Sequence, residues 1–309
     1  MTPNEKISVV IPSFNEHEAL PILLNNLIEK LPGAEIIVVD DGSNPPVENR
    51  RNVTVLRHPY NIGNGAAIKT GARHASGEYI IFMDSDGQHS ADDIPRFIEQ
   101  LDSGFDLVVG ARTTASQASH GRRIANAIYN RLASLLTGYR IDDLTSGFRA
   151  ARSGPFRHFL YLLPNRFSYP TTSTMAFFRC GYPVTYIPIN AATRIGKSNI
   201  RLLHDGFKFL VIILRIGALF SPMRFFLPLS ITLFTIATVY YGVTFITEGR
   251  FTNMSAVLYL ASLFIFLFGI ISEQISALHY RYTEEEKSVT NISQSSSSAS
   301  LADKREVQI

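Results

Sequence analysis

Glu78-Tyr79-Ile80-Ile81-Phe82-Met83-Asp84-Ser85-Asp86-Gly87-Gln88-His89 is the stretch whose reading decides the fold. Its first half is an apolar run of strand length, and its second half delivers two carboxylates and an amide where that strand stops. Hard oxygen ligands gathered at the end of a parallel strand suit a divalent cation carrying a diphosphate. The same polar residues also read as an ordinary turn capping a helix that starts near Ser90-Ala91-Asp92-Asp93, because aspartate is common in turns. The surrounding sequence favours the first reading.

Upstream, Ile7-Ser8-Val9-Val10-Ile11 reads as a buried strand followed by Pro12-Ser13-Phe14-Asn15-Glu16 and a helix over about 17–30. A second strand, Glu35-Ile36-Ile37-Val38-Val39, ends in Asp40-Asp41-Gly42-Ser43. Each strand delivers turn-forming polar residues at its carboxyl end, the edge of an open α/β sheet where ligands bind. A short strand, Val53–Arg57, leads into a glycine-rich helix entry over residues 58–71. Helix N-terminal N–H groups suit phosphate oxygens, and a tight turn packed on the sheet explains the same glycines equally well. Neither a dinucleotide fingerprint nor a P-loop is present. A further strand, Asp106–Gly110, ends at Ala111-Arg112, where a guanidinium can grip phosphate bidentately, and a helical segment with Arg122, Arg123 and Asn126 follows.

Taken together, Val10-Ile11-Pro12-Ser13-Phe14-Asn15-Glu16, Asp40-Asp41-Gly42-Ser43, Asn61-x-Gly63-x-Gly65-x-Ala67, Asp84-x-Asp86-x-Gln88-His89, Gly110-Ala111-Arg112, Asp143-Leu144-Thr145-Ser146-Gly147-Phe148-Arg149 and Arg194-Ile195-Gly196-Lys197-Ser198 form an ordered set over roughly 190 residues. This set resembles the family 2 glycosyltransferases of the GT-A fold, and among them the polyprenyl-phosphate sugar synthases of the dolichyl-phosphate mannose synthase and undecaprenyl-phosphate glycosyltransferase type. The resemblance implies an α/β catalytic domain over 1–197 with a Rossmann-like, mostly parallel sheet. It implies that Pro12, Asn15, Glu16, Asp40 and Asp41 hold the nucleoside, and that Asp84, Asp86 and Gln88 surround Mg²⁺ or Mn²⁺ and the diphosphate. It also implies that Asp143 lies near the sugar and acceptor phosphate, and that Arg112, Arg123, Arg194, Lys197 and Ser198 bind phosphates. The chain departs from the pattern at Tyr169–Met175 and at Ile187, where members of the family often carry Glu.

The chemistry of such a site follows from charge. Displacing a nucleoside diphosphate from an anomeric carbon builds negative charge on the leaving group, which a divalent cation and nearby basic side chains stabilise. A polyprenyl monophosphate, with a second pKa near about 6, arrives largely ionised and needs no strong general base. Repulsion between acceptor and donor phosphates is the remaining difficulty, and Arg123, Arg194 and Lys197 can offset it. One-step inversion at the anomeric carbon is expected.

The other end of the chain is apolar. Residues 225–247 and 251–272 contain no Asp, Glu, Lys or Arg over 23 and 22 residues, and at 1.5 Å per residue either run covers a hydrocarbon core of roughly 30 Å. Buried core helices are the alternative, but two such runs back to back favour a transmembrane hairpin. Residues 192–224 hold six Lys or Arg against one Asp, whereas the hairpin loop holds Arg250 alone. The positive-inside tendency therefore puts the catalytic domain on the cytoplasmic side of an integral membrane protein. No charged-then-apolar leader precedes Ile7, so the hairpin, within 224–280, is the expected anchor. Residues 198–223 read as an amphipathic juxtamembrane helix, lying in the interface or packed on the catalytic domain. The Ser-rich tail over 288–309, with seven Ser, reads as disordered.

A net charge of +3 does not point to nucleic acid, and the single cysteine, Cys180, excludes an intrachain disulfide and reads as a buried structural thiol. His58, His74, His89 and His204 are scattered and lack ligand spacing; His89, next to the acidic motif, is expected to hydrogen-bond within its turn. The expected partners are a nucleotide-sugar donor, a polyprenyl-phosphate acceptor and the membrane, with a homo-oligomer left open. The rival enzyme is a processive polysaccharide synthase, which the absence of tryptophan disfavours. A non-catalytic scaffold that retains the fold is the rival outside enzymes.

Overall fold

The computed structural model describes residues 3–113, 120–166, 168–192, 211, 214, 217 and 222–276. Chain contacts divide it into two units, Met1–Gly217 and Ala218–Ile309.

The first unit is a seven-stranded mixed sheet with helices on both faces. The strands are β1 (Ile7–Ser13), β2 (Glu35–Asp40), β3 (Thr54–Arg57), β4 (Tyr79–Phe82), β5 (Leu107–Arg112), β6 (Arg149–Arg152) and β7 (Val184–Ile189), in the spatial order β3-β2-β1-β4-β6-β5-β7. All neighbouring pairs are parallel except those of β6, which runs antiparallel to both β4 and β5. Because β6 runs the other way, the chain enters it at the same sheet edge where β4 and β5 end, with Arg149 opposite both Phe82 and Val109. The chain also reverses its direction of travel across the sheet between β2 and β4, on either side of β1, which opens the crevice typical of ligand sites.

Alternation along the strands separates two packed layers. Ile7, Val9 and Ile11 of β1 join Ile36, Val38 and Ile81 beneath α1 (Ala19–Lys30) and α3 (Ile94–Asp102). The opposite face receives α2 (Asn64–His74), α5 (Ser153–His158) and α6 (Tyr169–Arg179), with Phe82 against Phe156 at 4.4 Å between ring centroids. The helix α4 spans His120–Thr137. Strand β6 has no clear signal in the sequence: its four residues, Arg149-Ala150-Ala151-Arg152, carry none of the β-branched side chains that mark a strand. The turn at Ser90 is a short 3-10 segment, Ala91–Asp93, with Ser90 Oγ accepting the Asp92 N–H at 3.2 Å before α3 begins.

The glycine-rich entry to α2 resolves in favour of packing. The N–H groups of Gly65 and Ala66 donate to the carbonyls of Arg166 and Asn165 at 3.0 and 2.7 Å, so the amides read as a phosphate cradle already have protein partners. A Cβ on Gly65 would lie 1.9 Å from the Pro164 carbonyl oxygen. Cys180, expected to be buried, is half-buried at the C-cap of α6. Of the juxtamembrane segment only Val211, Leu214 and Gly217 are described; they are helical, and a Cβ at Gly217 would meet Leu136 of α4 at 2.6 Å. The rest of that segment and the tail lie outside the described residues.

The second unit is a hairpin of two helices, Pro222–Glu248 and Asn253–Ser276, both long and apolar enough to cross a membrane. Their buried residues recur every seventh position: Ser230, Ala237 and Thr244 on the first, Ser255, Ser262, Gly269 and Ser276 on the second. Small side chains at that spacing bring backbones close, and Ser230 and Ser262 exchange hydrogen bonds with each other's carbonyls at 2.9 and 3.1 Å. The large side chains point outward, Ile246 being 85 % exposed, which is not how core helices of a soluble protein present themselves.

Replacing Gly65 with Ala is expected to destabilise the first unit by about 1–3 kcal/mol through overpacking against residues 164–166. Gly154→Ala, with nothing within 4 Å of the new methyl, is expected to be neutral or slightly stabilising. Thermal unfolding of the two variants by circular dichroism checks the contrast.

Candidate active site

The acidic motif follows β4 at the carboxyl edge of the sheet. Ser85 Oγ donates to the Pro12 carbonyl at 2.9 Å, tying the motif to the end of β1. Gly87 takes the left-handed conformation (φ 76°) that turns the chain back, and the Gln88 N–H donates to Asp86 Oδ1 at 3.2 Å. Gln88 is held from the far side as well: its Nε2 donates to the Ala192 carbonyl at 3.3 Å, and its own carbonyl accepts the Ala192 N–H at 2.9 Å. Asp86 is buried, while Asp84 and Gln88 are half-buried.

Arg112, at the end of β5, does not reach into open solvent for a phosphate. Its Nε and Nη2 donate to Asp143 Oδ2 and Oδ1 at 2.8 and 2.9 Å, its backbone N–H adds a third bond at 3.2 Å, and Nη2 also meets Thr145 Oγ1. Desolvation pushes the Asp143 carboxyl up, but the guanidinium and the N–H groups of Arg112 and Thr145 outweigh it, leaving the pKa below the ordinary carboxylate value. Arg112 is correspondingly raised, by Asp143 and by the charge of Asp84, against the opposing effect of burial. The loop that carries Asp143 is clamped from α4, where Asn130 Oδ1 accepts the Leu144 N–H at 3.0 Å and Nδ2 donates to the Asp142 carbonyl at 2.7 Å.

Beneath this pair lies Arg149, 0 % exposed. Its guanidinium donates to the Ser146 and Pro170 carbonyls and to the hydroxyls of Ser173 and Thr174, stitching the Asp143 loop to the first turns of α6. Burial lowers its pKa, while Tyr169, Tyr186, Asp143 and Asp84 act in the opposite sense. Tyr169 adds a second stitch, its hydroxyl donating to the Gly147 carbonyl at 2.9 Å. At Gly147 a Cβ would lie 2.3 Å from Asp84 Oδ2, so any side chain there would displace the Asp84 carboxylate.

His89 departs from its expected turn hydrogen bond. Its ring stacks on Phe148 with centroids 4.9 Å apart, and its buried Nδ1 has no partner among the described residues. Desolvation, despite the opposing charge of Asp86, pushes its pKa down to about 4, so the ring is neutral at physiological pH.

The residues expected at the nucleoside lie at the ends of β1 and β2. Asn15 sits in the left-handed region (φ 56°); its N–H donates to Ser43 Oγ at 3.0 Å and its Oδ1 accepts the Asn44 N–H at 2.9 Å, joining the two strand ends. Asn15 is exposed, Glu16 half-buried and Pro12 buried. Asp40 and Asp41, 0 % and 3 % exposed, organise the turns. Asp40 accepts the N–H groups of Ser43 and Val47, and Asp41 accepts those of Ile62 and Gly63 together with His58 Nδ1. The structure therefore brings together Asp84, Asp86, Gln88, Asp143 and Arg112. Arg123 lies on α4, but its side chain, like Arg194, Lys197 and Ser198, falls outside the described residues. Asn130, Arg149 and Tyr169 are the contributors that sequence reasoning missed. Arg149 carried a signal as the last residue of the Asp143–Arg149 motif, whereas Asn130 and Tyr169 carried none.

Residues 8–160 match the family described as Glycosyl transferase family 2, and residues 221–278 match the GtrB C-terminal hairpin. The chain carries a family 2 glycosyltransferase domain followed by a GtrB hairpin. Solved structures similar to it include glucosyl-3-phosphoglycerate synthase from Mycobacterium tuberculosis in complex with Mn²⁺, UDP-glucose and phosphoglyceric acid. That structure is 17 % identical, covers 69 % of this chain and 79 % of its own, and has a TM-score of 0.55. The same enzyme with Mn²⁺, UDP and phosphoglyceric acid is 19 % identical over 69 % of this chain and 78 % of its own, with a TM-score of 0.54. At this identity the likeness is one of fold.

Asp143→Asn leaves the Arg112 guanidinium without its counter-charge and is expected to cost about 3 kcal/mol or more at neutral pH. Because the folded pKa of Asp143 is depressed, its contribution is complete above the ordinary value of 3.8 and is lost as pH falls below it toward the folded pKa. The melting temperatures of wild type and variant should therefore differ at pH 7 and converge in acid.

Proposed function

We propose that this protein transfers a hexose from a nucleoside-diphosphate sugar to the phosphate of a polyprenyl lipid, with inversion, at the cytoplasmic face of a membrane. The observation that carries this reading is the union in one chain of a family 2 glycosyltransferase domain and a hairpin of the GtrB type, GtrB being a polyprenyl-phosphate glucosyltransferase. Two long apolar helices with outward-facing large side chains agree with a substrate whose tail stays in lipid. Binding of Mn²⁺ with UDP-glucose by a protein of the same fold supports a nucleotide-sugar donor and a divalent cation.

Asp84, Asp86 and Gln88 would hold Mg²⁺ or Mn²⁺. Among the described residues no group of three or more His, Cys, Asp or Glu could hold a metal ion by itself. Two carboxylates and an amide fit a cation that arrives with its diphosphate, as Mg²⁺ does when one or two carboxylates and substrate phosphates share its shell. When bound, the cation would stabilise charge on the departing diphosphate. Asn15 and Glu16 are the accessible candidates for nucleoside contact beside Pro12, whereas Asp40 and Asp41 would act by fixing the strand-end turns. The Arg112–Asp143 unit would keep a positive charge beside Asp84, and Arg123, Arg194, Lys197 and Ser198 would receive the acceptor phosphate.

The test uses purified full-length protein with radiolabelled UDP- and GDP-hexoses, undecaprenyl phosphate and Mn²⁺ or Mg²⁺. Label should enter the organic phase with inverted anomeric configuration, and chelation should abolish transfer. Asp86→Ala should reduce it at least about a hundredfold, the scale on which electrostatic stabilisation of a leaving group acts. Label that enters only a water-soluble acceptor such as phosphoglycerate would overturn the lipid assignment, and a retained configuration would overturn the one-step mechanism.

A further inference from the structure

The glycine-rich entry to α2 spends its first amides on protein carbonyls, yet it stands beside the acidic motif: Asn64 and Asp84 line one cavity together with Gly147 and Ser168. What the entry receives in exchange is an arginine. Residues 163–166 lie across the first turns of α2 as a strap. The carbonyls of Asn165 and Arg166 accept the N–H groups of Ala66 and Gly65, and Lys69 Nζ donates to the Leu163 carbonyl at 3.1 Å and to Asn165 Oδ1. A Cβ on Gly63 would stand 2.7 Å from Arg166 Cα and 2.8 Å from its Cγ, so the start of the arginine side chain packs directly on the glycine. Backbone and stem of Arg166 are both anchored, two residues ahead of Ser168 in the cavity wall.

Its charge, by contrast, is uncommitted. Arg166 is exposed, and among the described residues its guanidinium has neither a hydrogen bond nor an ion pair. The other described guanidiniums at this edge are engaged: Arg112 holds Asp143, Arg149 is sealed in the core, and Arg57 stands 3.8 Å from Asp40. An exposed arginine is ordinarily a solvated surface residue, and its stem is then free to wander. This one is seated on a glycine, at the positive end of an 11-residue helix, beside the edge where the reaction gathers its phosphates. A planar fork of N–H donors takes two oxygens of one phosphate at once, which an ammonium cannot do. We infer that Arg166 is a phosphate-binding residue of the transfer reaction, gripping oxygens of the donor diphosphate or of the acceptor monophosphate, and that the strap on Gly63 and Gly65 is what seats it. The glycine pair then serves phosphate indirectly, by carrying a guanidinium where its own amides are occupied. The inference rests on the reading of the protein as a nucleotide-sugar transferase to a lipid phosphate, and it adds a residue that lies outside the motifs of the sequence.

Three variants of the full-length protein test it: Arg166→Ala, Arg166→Lys and, as a control in the last turn of the same helix, Arg73→Ala. Calorimetry in Mn²⁺ with UDP, UDP-glucose, GDP and GDP-mannose measures the donor side, and the KM for undecaprenyl phosphate measures the acceptor side. Arg166→Ala should weaken donor binding, acceptor binding or both at least about tenfold, the scale of a hydrogen bond to a charged group. Parallel loss of nucleotide and nucleotide-sugar affinity assigns the arginine to the donor diphosphate, whereas a raised KM for the lipid at unchanged nucleotide affinity assigns it to the acceptor. Arg166→Lys, which restores the charge without the fork, should recover part of the loss. Because the side chain is exposed, the melting temperature should stay at the wild-type value, and Arg73→Ala should leave every constant unchanged. Unaltered donor affinity and acceptor KM in Arg166→Ala would overturn the assignment, as would a loss that Arg166→Lys does not relieve or that Arg73→Ala reproduces. Labelling of undecaprenyl phosphate that Arg166→Ala leaves untouched keeps the proposed function and discards the role of the arginine. Nucleotide binding that depends on Arg166 in a protein that labels no lipid does the reverse.

Discussion

The bidentate pairing of Arg112 with Asp143 is the contact on which the catalytic edge depends. Six of the seven strands run parallel, and their carboxyl ends alone would leave Asp84 facing an open crevice. The loop 143–147 closes one side of it, and that loop is held by a guanidinium projecting from the end of β5. Burying a carboxylate this deeply is unfavourable unless a counter-charge and further hydrogen bonds accompany it. Asp143 has both, from Arg112 and from the Thr145 N–H. The loop can then press against Asp84 closely enough that a side chain at 147 would push its carboxylate aside.

A second guanidinium performs the complementary task from below. Arg149 donates hydrogen bonds to carbonyls and hydroxyls, and its charge is favoured at longer range by Asp143 and Asp84. Two acidic groups gathered at one edge repel each other, and a fully buried positive charge between the sheet and α6 reduces that repulsion before any cation arrives. Two monovalent cations in this way offset the acidic edge at which a divalent ion is proposed to bind. One of these is half-accessible at the rim and the other is sealed in the core.

Much of this architecture was legible in the chain. The strands β1, β2, β4 and β5 announce themselves as apolar runs that stop at Asp, Asn or Arg, and the hairpin as two uncharged runs flanking Glu248-Gly249-Arg250. What the sequence hid has specific causes. Strand β6 is Arg-Ala-Ala-Arg, whose place is set by its neighbours and not by its own propensity. The burial of Asp40 and Asp41, which the resemblance implies hold the nucleoside, was not visible in the sequence: it rests on five hydrogen bonds from their own loops and His58. The glycines at 63 and 65 carried two meanings, and the carbonyls of residues 165 and 166, a hundred positions away in sequence, chose between them.

The hairpin teaches the same lesson at another scale. Hydropathy registers two apolar runs but not which side faces which, since lipid-facing and helix-facing residues are equally uncharged. The register is written in size: serine, alanine, threonine and glycine every seventh residue mark the seam, and the mutual Ser230–Ser262 hydrogen bonds lock it. A seven-residue repeat also demands a shallow crossing, because 3.6 residues per turn drifts against it and the helices must coil to keep the seam in contact. Large side chains are left to flank the seam, as Phe234 does on Tyr259, or to face outward. A hairpin built this way keeps every serine hydroxyl of the seam within reach of a backbone carbonyl or a neighbouring hydroxyl, and the exposed threonines Thr232, Thr235 and Thr238 bond back to carbonyls of their own helix, an arrangement that suits an apolar surrounding.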